Sequence, residues 1–400
     1  MSASFDSEKR NHRKLGTQLE LFISMEEAPG MPFFLPKGMV IRDELEKFWK
    51  KEHRKAGYQE IKTPIMMKQE LWEQSGHWKH YHESMYFSNV DDQSYAIKPM
   101  NCPGAVLIYN SRRRSYRELP IRYGELGLVH RHELSGSLSG LLRVRSFTQD
   151  DAHLFVLEDQ VQKELHNVLD LIDVFYSKFG FRYKIELSTR PEEYMGSIAM
   201  WDKAEEDLKR VLQDRNADYQ INEGDGSFYG PKIDFHLVDS IGRSWQCGTV
   251  QLDFQMPEKF NCEYIGEDNK VHRPIMIHRA IYGSIERFMA ILIEHYEGEF
   301  PMWLAPVQVK VLPISQAQMD YALQVKNLLE NKGLRVEIDD RDEKIGYKIR
   351  NAQMAKTPYL MVVGKKEMEE GKVSLRNRKG ISEVLILENA IQFIIDEMRK

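Results

Sequence analysis

The strongest constraint on the fold is the alternation of side chains within residues 130–155. Arg131 and Glu133 are two residues apart, so on an extended strand both would point to one face. A Ser- and Gly-rich stretch at residues 135–140 interrupts the pattern before alternation resumes. Three polar residues then occupy strictly alternate positions: Gln149, Asp151 and His153. The pattern predicts a β-hairpin with one polar face, which is typical either of the floor of a ligand site or of a solvated sheet surface.

The composition is typical of a cytoplasmic globular protein. Hydrophobic residues make up 42% and charged residues 29% of the 400 residues, enough chain for two or three domains. Three scattered cysteines argue against a disulfide framework. No apolar run reaches the about 20 residues of a membrane span, and the N-terminus lacks the apolar core of a secretory signal. The net charge of −5 argues against a globally basic nucleic-acid binder, although residues 304–400 are mildly basic.

A short linker at residues 303–306 divides the chain into two regions of different character. In residues 1–303, hairpins and inserted helices predict an α+β domain built on an antiparallel sheet. In residues 304–400, strands separated by helical segments predict a small α/β domain with a mainly parallel mixed sheet. The polar first 30 residues are expected to form a lead-in with a short helical segment near residues 19–23.

Four other segments contain residues that are candidates for a binding or catalytic role. Residues 75–82 are rich in histidine, which fits either a metal cluster or a surface loop. Cys102 precedes a predicted helix, where the helix dipole favours the thiolate, but a buried small hydrophobic role is equally compatible. The Gly-rich loop at residues 222–232 permits close approach of a ligand or is a simple turn. The charged pair at residues 286–287 lies in an apolar helix, so it must be internally paired or bind something.

Two strands are predicted near these segments, at residues 233–238 and 244–253. Each is expected to carry two polar side chains on one face: Asp234 and His236 on the first, Gln246 and Gln251 on the second.

Three separated motifs resemble those of class II aminoacyl-tRNA synthetases, in the order that this family has them. Residues 57–64 are similar to motif 1, which forms the dimer interface of the family. Residues 131–133, with the loop and return strand that follow, are similar to motif 2, and residues 283–287 are similar to motif 3. Residues 14–400 as a whole resemble the threonyl-tRNA synthetases. This implies a catalytic domain in residues 1–303 and an anticodon-binding domain in residues 304–400, without the amino-terminal editing region of the family.

The resemblance implies one zinc ion per chain, bound by Cys102, His153 and His278. One thiolate and two imidazoles leave a coordination position open. In this family threonine fills it through its amino and hydroxyl groups, so valine, which is nearly isosteric but lacks the hydroxyl, is rejected. Asp151 would accept the hydrogen bond of the threonine hydroxyl, and Tyr229 would orient the amino group.

The resemblance also implies an ATP-dependent ligase, in which the threonine carboxylate attacks the α-phosphorus of ATP, bound with Mg²⁺, and pyrophosphate leaves. Arg131 would bridge the carboxylate and the α-phosphate, and Arg287 would bind the far end of the nucleotide. Glu133 would accept a hydrogen bond from the adenine amino group. Among the remaining positions that match contacts of the family, Met100, Gln149 and Gln251 match contacts with the amino acid, and Gln246 and Ser284 match contacts with ATP.

The second step would transfer the threonyl group to the terminal adenosine of tRNA(Thr). His77 matches a histidine proposed to deprotonate the ribose hydroxyl, a role suited to an imidazole with a near-neutral pKa. Lys232 would lie near the same ribose or a phosphate. Glu367 and Arg376 match positions that contact anticodon bases, although solvated surface charges fit the sequence as well.

Two residues depart from the pattern of the family, Ala105 and His132, which leaves the local geometry open. A prolyl-tRNA synthetase is the alternative among enzymes, but proline has no hydroxyl group for a metal to bind. A synthetase-like RNA-binding or regulatory protein without catalysis is the alternative outside enzymes, and the presence of Arg131, Glu133 and Arg287 argues against it.

Overall fold

The computed structural model describes residues 10–399, so the first nine residues of the predicted lead-in lie outside the described part. In chain order the strands are β1 (Phe22–Ile23), β2 (Phe33–Phe34), β3 (Gln59–Glu60), β4 (Met66–Lys68), β5 (Tyr86–Val90), β6 (Gln93–Ile97), β7 (Ile121–His130), β8 (Ser146–Val156), β9 (Arg182–Ser188), β10 (Tyr219–Asn222), β11 (Lys232–Val238), β12 (Ser244–Asp253), β13 (Tyr264–Ile265), β14 (Val271–His272), β15 (Ile275–Ala280), β16 (Val309–Pro313), β17 (Val336–Ile338), β18 (Tyr359–Val363), β19 (Lys372–Asn377) and β20 (Ser382–Ile386). The α-helices are α1 (His12–Gln18), α2 (Pro36–Lys55), α3 (Gln69–Ser75), α4 (His77–Tyr81), α5 (Cys102–Tyr109), α6 (Val161–Lys178), α7 (Ile198–Asp214), α8 (Gln255–Lys259), α9 (Ile285–His295), α10 (Met319–Glu330), α11 (Ile345–Met354), α12 (Lys365–Glu370) and α13 (Leu387–Arg399).

The chain forms two compact units. The larger contains Glu26–Pro32 and Glu46–Ile291, and the smaller contains the segments up to Met25, Phe33–Leu45 and from Leu292 onward. No helix within residues 10–399 combines the length and the apolar character that crossing a bilayer requires.

The larger unit is built on an eight-stranded sheet with the order β10-β9-β11-β12-β15-β8-β7-β3. Its inner pairings are antiparallel, and only the end strands β10 and β3 pair in parallel. The prediction of an α+β domain on an antiparallel sheet is therefore confirmed. The motif 1 segment forms β3 at one edge, in keeping with the proline that follows it.

The centre of this sheet is set by the register of β7, β8 and β15. Asp151 lies opposite Ala280 and His153 lies opposite His278, so the polar face predicted for β8 continues onto β15 at His278. The long helix α6 buries the apolar stripe predicted for it, including Leu165, Ile172 and Phe175.

A β-bulge between β11 and β12 orients the polar residues of β12. Phe235 lies opposite Gly248, but His236 lies opposite Gln246, so Cys247 is an extra residue in β12. In a regular strand Gln246 and Gln251, five residues apart, would point to opposite faces. The bulge reverses the alternation and brings both to the wall of one cavity, as predicted.

A buried charge pair, Lys98 with Glu125, connects the motif 1 segment to β7 of the sheet. The Lys98 ammonium group lies 3.0 Å from Glu125 Oε1 and donates to Thr63 Oγ1 at 2.8 Å, and Lys98 and Glu125 are 1% and 2% exposed. Thr63 also donates its backbone N–H to Glu125 Oε1 at 2.8 Å. The pair is fully hydrogen-bonded, which is the condition under which buried charges are tolerated.

The smaller unit contains a five-stranded sheet with the order β17-β16-β18-β19-β20. The pairings of β16 with β17 and β18 are parallel, and those of β19 with β18 and β20 are antiparallel. The sheet is thus the mixed sheet with flanking helices that was predicted, although β20 and α12 were not anticipated.

Some local predictions were wrong. The segment near residues 19–23 is not helical, because the helix ends at Gln18 and Phe22 and Ile23 pair with β2. Arg131 and Glu133 follow the end of β7 rather than forming part of a strand, since Glu133 N–H already donates to Arg131 O. The histidine-rich segment is not a surface loop but contains α4, and the small sheet of β4, β6 and β5 was missed.

We predict that Lys98→Met destabilises the protein by about 3–5 kcal/mol, because it leaves the Glu125 carboxylate buried without its cation. Urea unfolding monitored by tryptophan fluorescence would measure the change. The same substitution at Lys55, whose side chain is 61% exposed in its pair with Glu52, is the matched control and should change stability by less than about 1 kcal/mol. Equal effects of the two substitutions would contradict the prediction.

Candidate functional site

Two cavities of the larger unit share a wall. The Arg287 cavity has a volume of about 440 Å³ and the His278 cavity a volume of about 400 Å³. The residues that line both are Arg131, Gln149, Ser227, Lys232, Thr249 and Gln251. Because the shared wall includes a guanidinium and an ammonium group, a molecule spanning the two cavities would carry its negative charge at the junction.

The predicted site residues line these two cavities, and Arg131, Gln149 and Gln251 line both. Those that the resemblance assigned to ATP line the Arg287 cavity: Arg131, Glu133, Gln246, Ser284 and Arg287. Those assigned to the amino acid line the His278 cavity: Met100, Gln149, Asp151, Tyr229 and Gln251.

Cys102, His153 and His278 form the one group of potential metal ligands found among the described residues. Their ligand atoms lie within 4.8 Å of one another, and all three residues are buried. Cys102 begins α5, and the two histidines are cross-strand partners with ring centroids 5.0 Å apart. His153 Nε2 is buried and makes no hydrogen bond within residues 10–399, so it is available to a metal ion. A thiol and two imidazoles are a donor set that suits zinc.

Electrostatics at this cluster favour a bound cation. Burial, together with Asp151 and Asp253, raises the pKa of the Cys102 thiol well above its usual value. The expectation that the helix N-terminus alone favours the thiolate is therefore wrong, and deprotonation requires a positive charge nearby. Burial also lowers the pKa of His153 well below its usual value, which keeps the imidazole in the neutral form that binds metals.

Asp253 orients His278. Its Oδ2 lies 2.8 Å from His278 Nε2, and its Oδ1 accepts hydrogen bonds from the backbone N–H groups of Gln255 and Met256 at 2.7 and 2.9 Å. Both carboxylate oxygens are thus held in place in a residue that is fully buried. An Nε2–H donated to Asp253 leaves the lone pair of His278 on Nδ1.

Asp151 and Tyr229 provide the polar atoms on the wall of the His278 cavity. Burial raises the pKa of the Asp151 carboxyl, and Asn101 Nδ2 donates to Asp151 Oδ2 at 3.1 Å. The Tyr229 hydroxyl donates to Gln251 Oε1, and its ring lies against His278 with centroids 5.1 Å apart.

Arg131 is held at the junction from three sides. Its Nε donates to Pro99 O at 3.1 Å, and its guanidinium carbon lies 5.5 Å from the ring centre of Tyr81 and 5.2 Å from that of Phe147. These contacts leave the terminal nitrogen atoms of a planar cation available to oxygen atoms of a ligand in either cavity.

The far end of the Arg287 cavity is formed by motif 3 and the β12 bulge. Gly283 has φ +80°, and a Cβ there would lie 2.6 Å from Cys247 O, so only glycine fits. The neighbouring charges of motif 3 do not pair with each other. Glu286 Oε2 accepts the backbone N–H of Thr148 at 2.8 Å, whereas Arg287 lines the cavity with a buried Nε that no described residue accepts from.

Glu133, which also lines the Arg287 cavity, is paired with Arg143, whose Nε donates to Glu133 Oε2 at 2.9 Å.

Lys232 lies 3.0 Å from both Asp225 Oδ2 and Asp234 Oδ2, and these carboxylates are among the causes that raise its pKa despite burial. Lys232 therefore keeps its charge at the junction of the cavities.

His77 does not line either cavity. It is fully buried in α4, its Nδ1 lies 2.7 Å from Ser75 Oγ, and its Nε2 lies 3.1 Å from Met100 Sδ and 3.7 Å from Cys102 Sγ. Burial lowers the pKa of His77 to about 3, so the expectation of a near-neutral pKa is wrong. The imidazole is neutral at physiological pH.

The remaining predicted positions are not among the residues that line either cavity. In the smaller unit, Glu367 Oε2 accepts the backbone N–H of Gly364 at 3.0 Å and caps α12, and Arg376 Nη1 donates to Ser382 Oγ at 3.3 Å. The two departures from the family pattern are accommodated: Ala105 is fully buried in α5, and the His132 ring packs against Tyr86.

The sequence interpretation missed two residues in direct contact with the site, Asn101 and Asp253. Asn101 immediately precedes Cys102, and Asp253 ends a strand already predicted to be polar on one face. Alternation identifies which side chains share a face but not which of them pair with a residue from another element, so no pattern in the sequence distinguishes these two.

Known proteins resemble this chain along nearly all of its length. Residues 86–296 match the family "tRNA synthetase class II core domain (G, H, P, S and T)", and residues 308–397 match "Anticodon binding domain". A threonine–tRNA ligase of Syntrophomonas wolfei is 61% identical over 395 residues, 98% of this chain and 62% of the relative. One from Carboxydothermus hydrogenoformans is 62% identical over 373 residues, 93% of this chain and 59% of the relative. The chain thus spans about three-fifths of these relatives.

Solved structures agree with these sequence matches. A crystal structure titled as the RNA-binding domain of threonyl-tRNA synthetase from Cryptosporidium parvum superposes with a TM-score of 0.93 at 41% identity and covers 97% of this chain and 98% of its own. A putative threonyl-tRNA synthetase from Aeropyrum pernix has a TM-score of 0.84 at 29% identity, covering 97% of this chain and 96% of its own. The chain therefore belongs to the threonyl-tRNA synthetase family of class II aminoacyl-tRNA synthetases.

Proposed function

We propose that the protein is a threonine–tRNA ligase that activates L-threonine with ATP to threonyl-adenylate and transfers it to the terminal adenosine of tRNA(Thr), with zinc selecting the amino acid. The observation that carries the proposal is the position of Arg131. It lies where a cavity lined by His278, one member of the Cys/His/His cluster, meets a second cavity that contains Arg287.

Each cavity provides the chemistry that one substrate requires. In the His278 cavity, Asp151 offers an acceptor to the threonine hydroxyl, and Tyr229 and Gln251 offer polar atoms to the amino group. In the Arg287 cavity, Glu133 and Gln246 would bind the adenosine, and Arg287 would stack on adenine or neutralise the γ-phosphate. Ser284 lies at the start of the motif 3 helix, next to the same end of the nucleotide.

The activation step needs positioning and charge neutralisation rather than an acid or a base. Arg131 would hold the threonine carboxylate and the α-phosphate together, since it lines both cavities and its Nε is fixed by Pro99. Mg²⁺ carried with ATP would offset the remaining phosphate charge. Zinc, when bound by Cys102, His153 and His278, would supply a Lewis-acid position for the amino and hydroxyl groups of threonine.

The transfer step would use residues at the edge of the site. Lys232 retains its charge at the junction and is suited to contact the ribose or a phosphate of the terminal adenosine. His77 remains a prediction as the base, because its neutral Nε2 can accept a proton only if the contact with Met100 opens.

Further parts of the proposal concern the whole assembly. We propose a catalytic domain in residues 1–303, an anticodon-binding domain in residues 304–400 that contacts tRNA through Glu367 and Arg376, and a homodimer formed through motif 1. The exposed edge strand β3 supports the dimer proposal, because an open sheet edge is a ready surface for pairing. Three free, buried cysteines are compatible with a cytoplasmic location.

We expect threonine to stimulate ATP–pyrophosphate exchange by the purified protein, whereas proline does not. Exchange measures activation without tRNA and so isolates the cavities described above. Stimulation by proline instead would favour the prolyl alternative, and no stimulation by any amino acid would favour the alternative without catalysis.

The chemistry of the His278 cavity predicts that valine is rejected in favour of threonine much more strongly than serine is. Valine lacks the hydroxyl and would leave Asp151 unpaired, so we expect kcat/KM for valine to be on the order of 10⁴-fold below threonine. Serine keeps both polar groups and loses only a methyl contact worth about 1–3 kcal/mol, so it should be rejected only about 10–200-fold and should form seryl-tRNA. Rejection of serine as strong as that of valine would refute this account.

The hydrogen bond between Asp253 and His278 predicts a role in metal binding. Asp253→Asn should lower zinc affinity by about 10–100-fold, because an amide can place its NH₂ group against Nε2 and favour the wrong imidazole tautomer. Competition with a chromogenic chelator measures the affinity directly. Asp239→Asn, which changes another buried carboxylate held by backbone N–H groups, is the matched control and should leave zinc affinity unchanged.

A further inference from the structure

We propose that Asn101 is a positioning residue that holds the Asp151 carboxylate away from the metal position and thereby keeps that position open for the amino acid. The inference rests on the proposed zinc-dependent threonine site and adds a residue to it.

The side chain of Asn101 forms a hydrogen bond with Asp151. Asn101 is fully buried, and its Nδ2 donates to Asp151 Oδ2 at 3.1 Å across 50 positions of sequence. Its Oδ1 accepts no hydrogen bond from the residues that the structure describes. A buried amide with one unpaired end lowers stability, so a purely structural role would be poorly served by asparagine at this position.

The absence of a side chain at Gly127 of β7 leaves space for the side chain of Asn101. A Cβ at Gly127 would lie 2.2–2.5 Å from the Oδ1, Cγ and Nδ2 atoms of Asn101. Gly127 lies opposite Gln149 in the pairing of β7 with β8, two residues before Asp151 along β8. The space left by the missing side chain thus places the amide beside the carboxylate that it holds.

Asp151 needs this restraint because it lies close to the metal ligands. Its Oδ2 is 3.7 Å from His153 Nε2, the orphaned nitrogen of the ligand cluster. Carboxylate oxygens bind zinc as readily as imidazole nitrogens do. If Asp151 turned towards the metal, it would become a fourth protein ligand and occupy the position that the threonine hydroxyl requires. The hydrogen bond from Asn101 engages the same oxygen atom, Oδ2, that lies 3.7 Å from His153 Nε2, while Asp151 lines the His278 cavity.

The test is Asn101→Leu, which keeps the volume and removes the donor, together with Gly127→Ala, which displaces the amide while retaining it. Both variants should bind one zinc per chain, release it to a chelator about tenfold more slowly than the wild type because of the added ligand, and show a threonine KM raised on the order of 10-fold. The ATP KM and kcat should stay within about twofold. In the cobalt-substituted protein, the threonine-induced change of the visible absorption spectrum should require about tenfold more threonine than in the wild type.

Asn110→Leu is the control. It removes an amide that donates to Phe260 O at 2.8 Å at the other end of α5, and it should behave as the wild type.

The outcomes separate the two proposals. A wild-type protein that binds no zinc or does not activate threonine refutes the proposed function. A wild-type protein that does both, with an Asn101→Leu variant of unchanged threonine KM and zinc release, overturns the role of Asn101 alone. Loss of zinc, kcat and stability together in both variants also overturns it, because that result indicates a structural role.

Discussion

The pairing of His153 with His278 across β8 and β15 is the constraint on which the site depends. Two imidazoles on adjacent strands approach closely only in this register, since a slip by one residue would turn one of them to the opposite face. Asp151 lies two residues before His153 on β8, and the third potential ligand, Cys102, is the first residue of α5. A thiol, two imidazoles and a carboxylate are therefore brought together by backbone hydrogen bonds rather than by their own attraction.

Such a concentration of buried polar groups is unfavourable unless each one is satisfied. Asp253 holds His278, Asn101 holds Asp151, and the Lys98–Glu125 pair lies beneath them with its own hydrogen bonds. The atoms left without partners are informative, because His153 Nε2 and Arg287 Nε are orphaned where a metal ion and a nucleotide are proposed. The residues that support the site are thus largely hydrogen-bonded, and these two orphaned nitrogen atoms lie where ligands are proposed.

Arg131 lies between the proposed metal-binding end and the proposed nucleotide-binding end of the site, and its position illustrates what a sequence pattern misses. We expected Arg131 and Glu133 on one face of a strand, but β7 ends at His130 and the two residues lie on irregular backbone. Both still line the Arg287 cavity, because Arg131 is fixed by Pro99 O and Glu133 by Arg143. The roles inferred for the two residues stay predictions, whereas the strand expected for them is wrong.

The sequence alone determined the two domain types, the polar face of β8 and, through the three motifs, the family, and it predicted the residues of the site. Periodicity and motif order are local properties that every residue of a strand or motif carries, so they can be recognised without coordinates. Only the tertiary structure explains why Gln246 and Gln251, five residues apart, line one cavity as predicted, since one bulged residue, Cys247, reverses the alternation. It also decided that His77 is buried and neutral, and that Asn101 and Asp253 orient the site. These outcomes depend on burial and on contacts between distant segments, which no local pattern encodes.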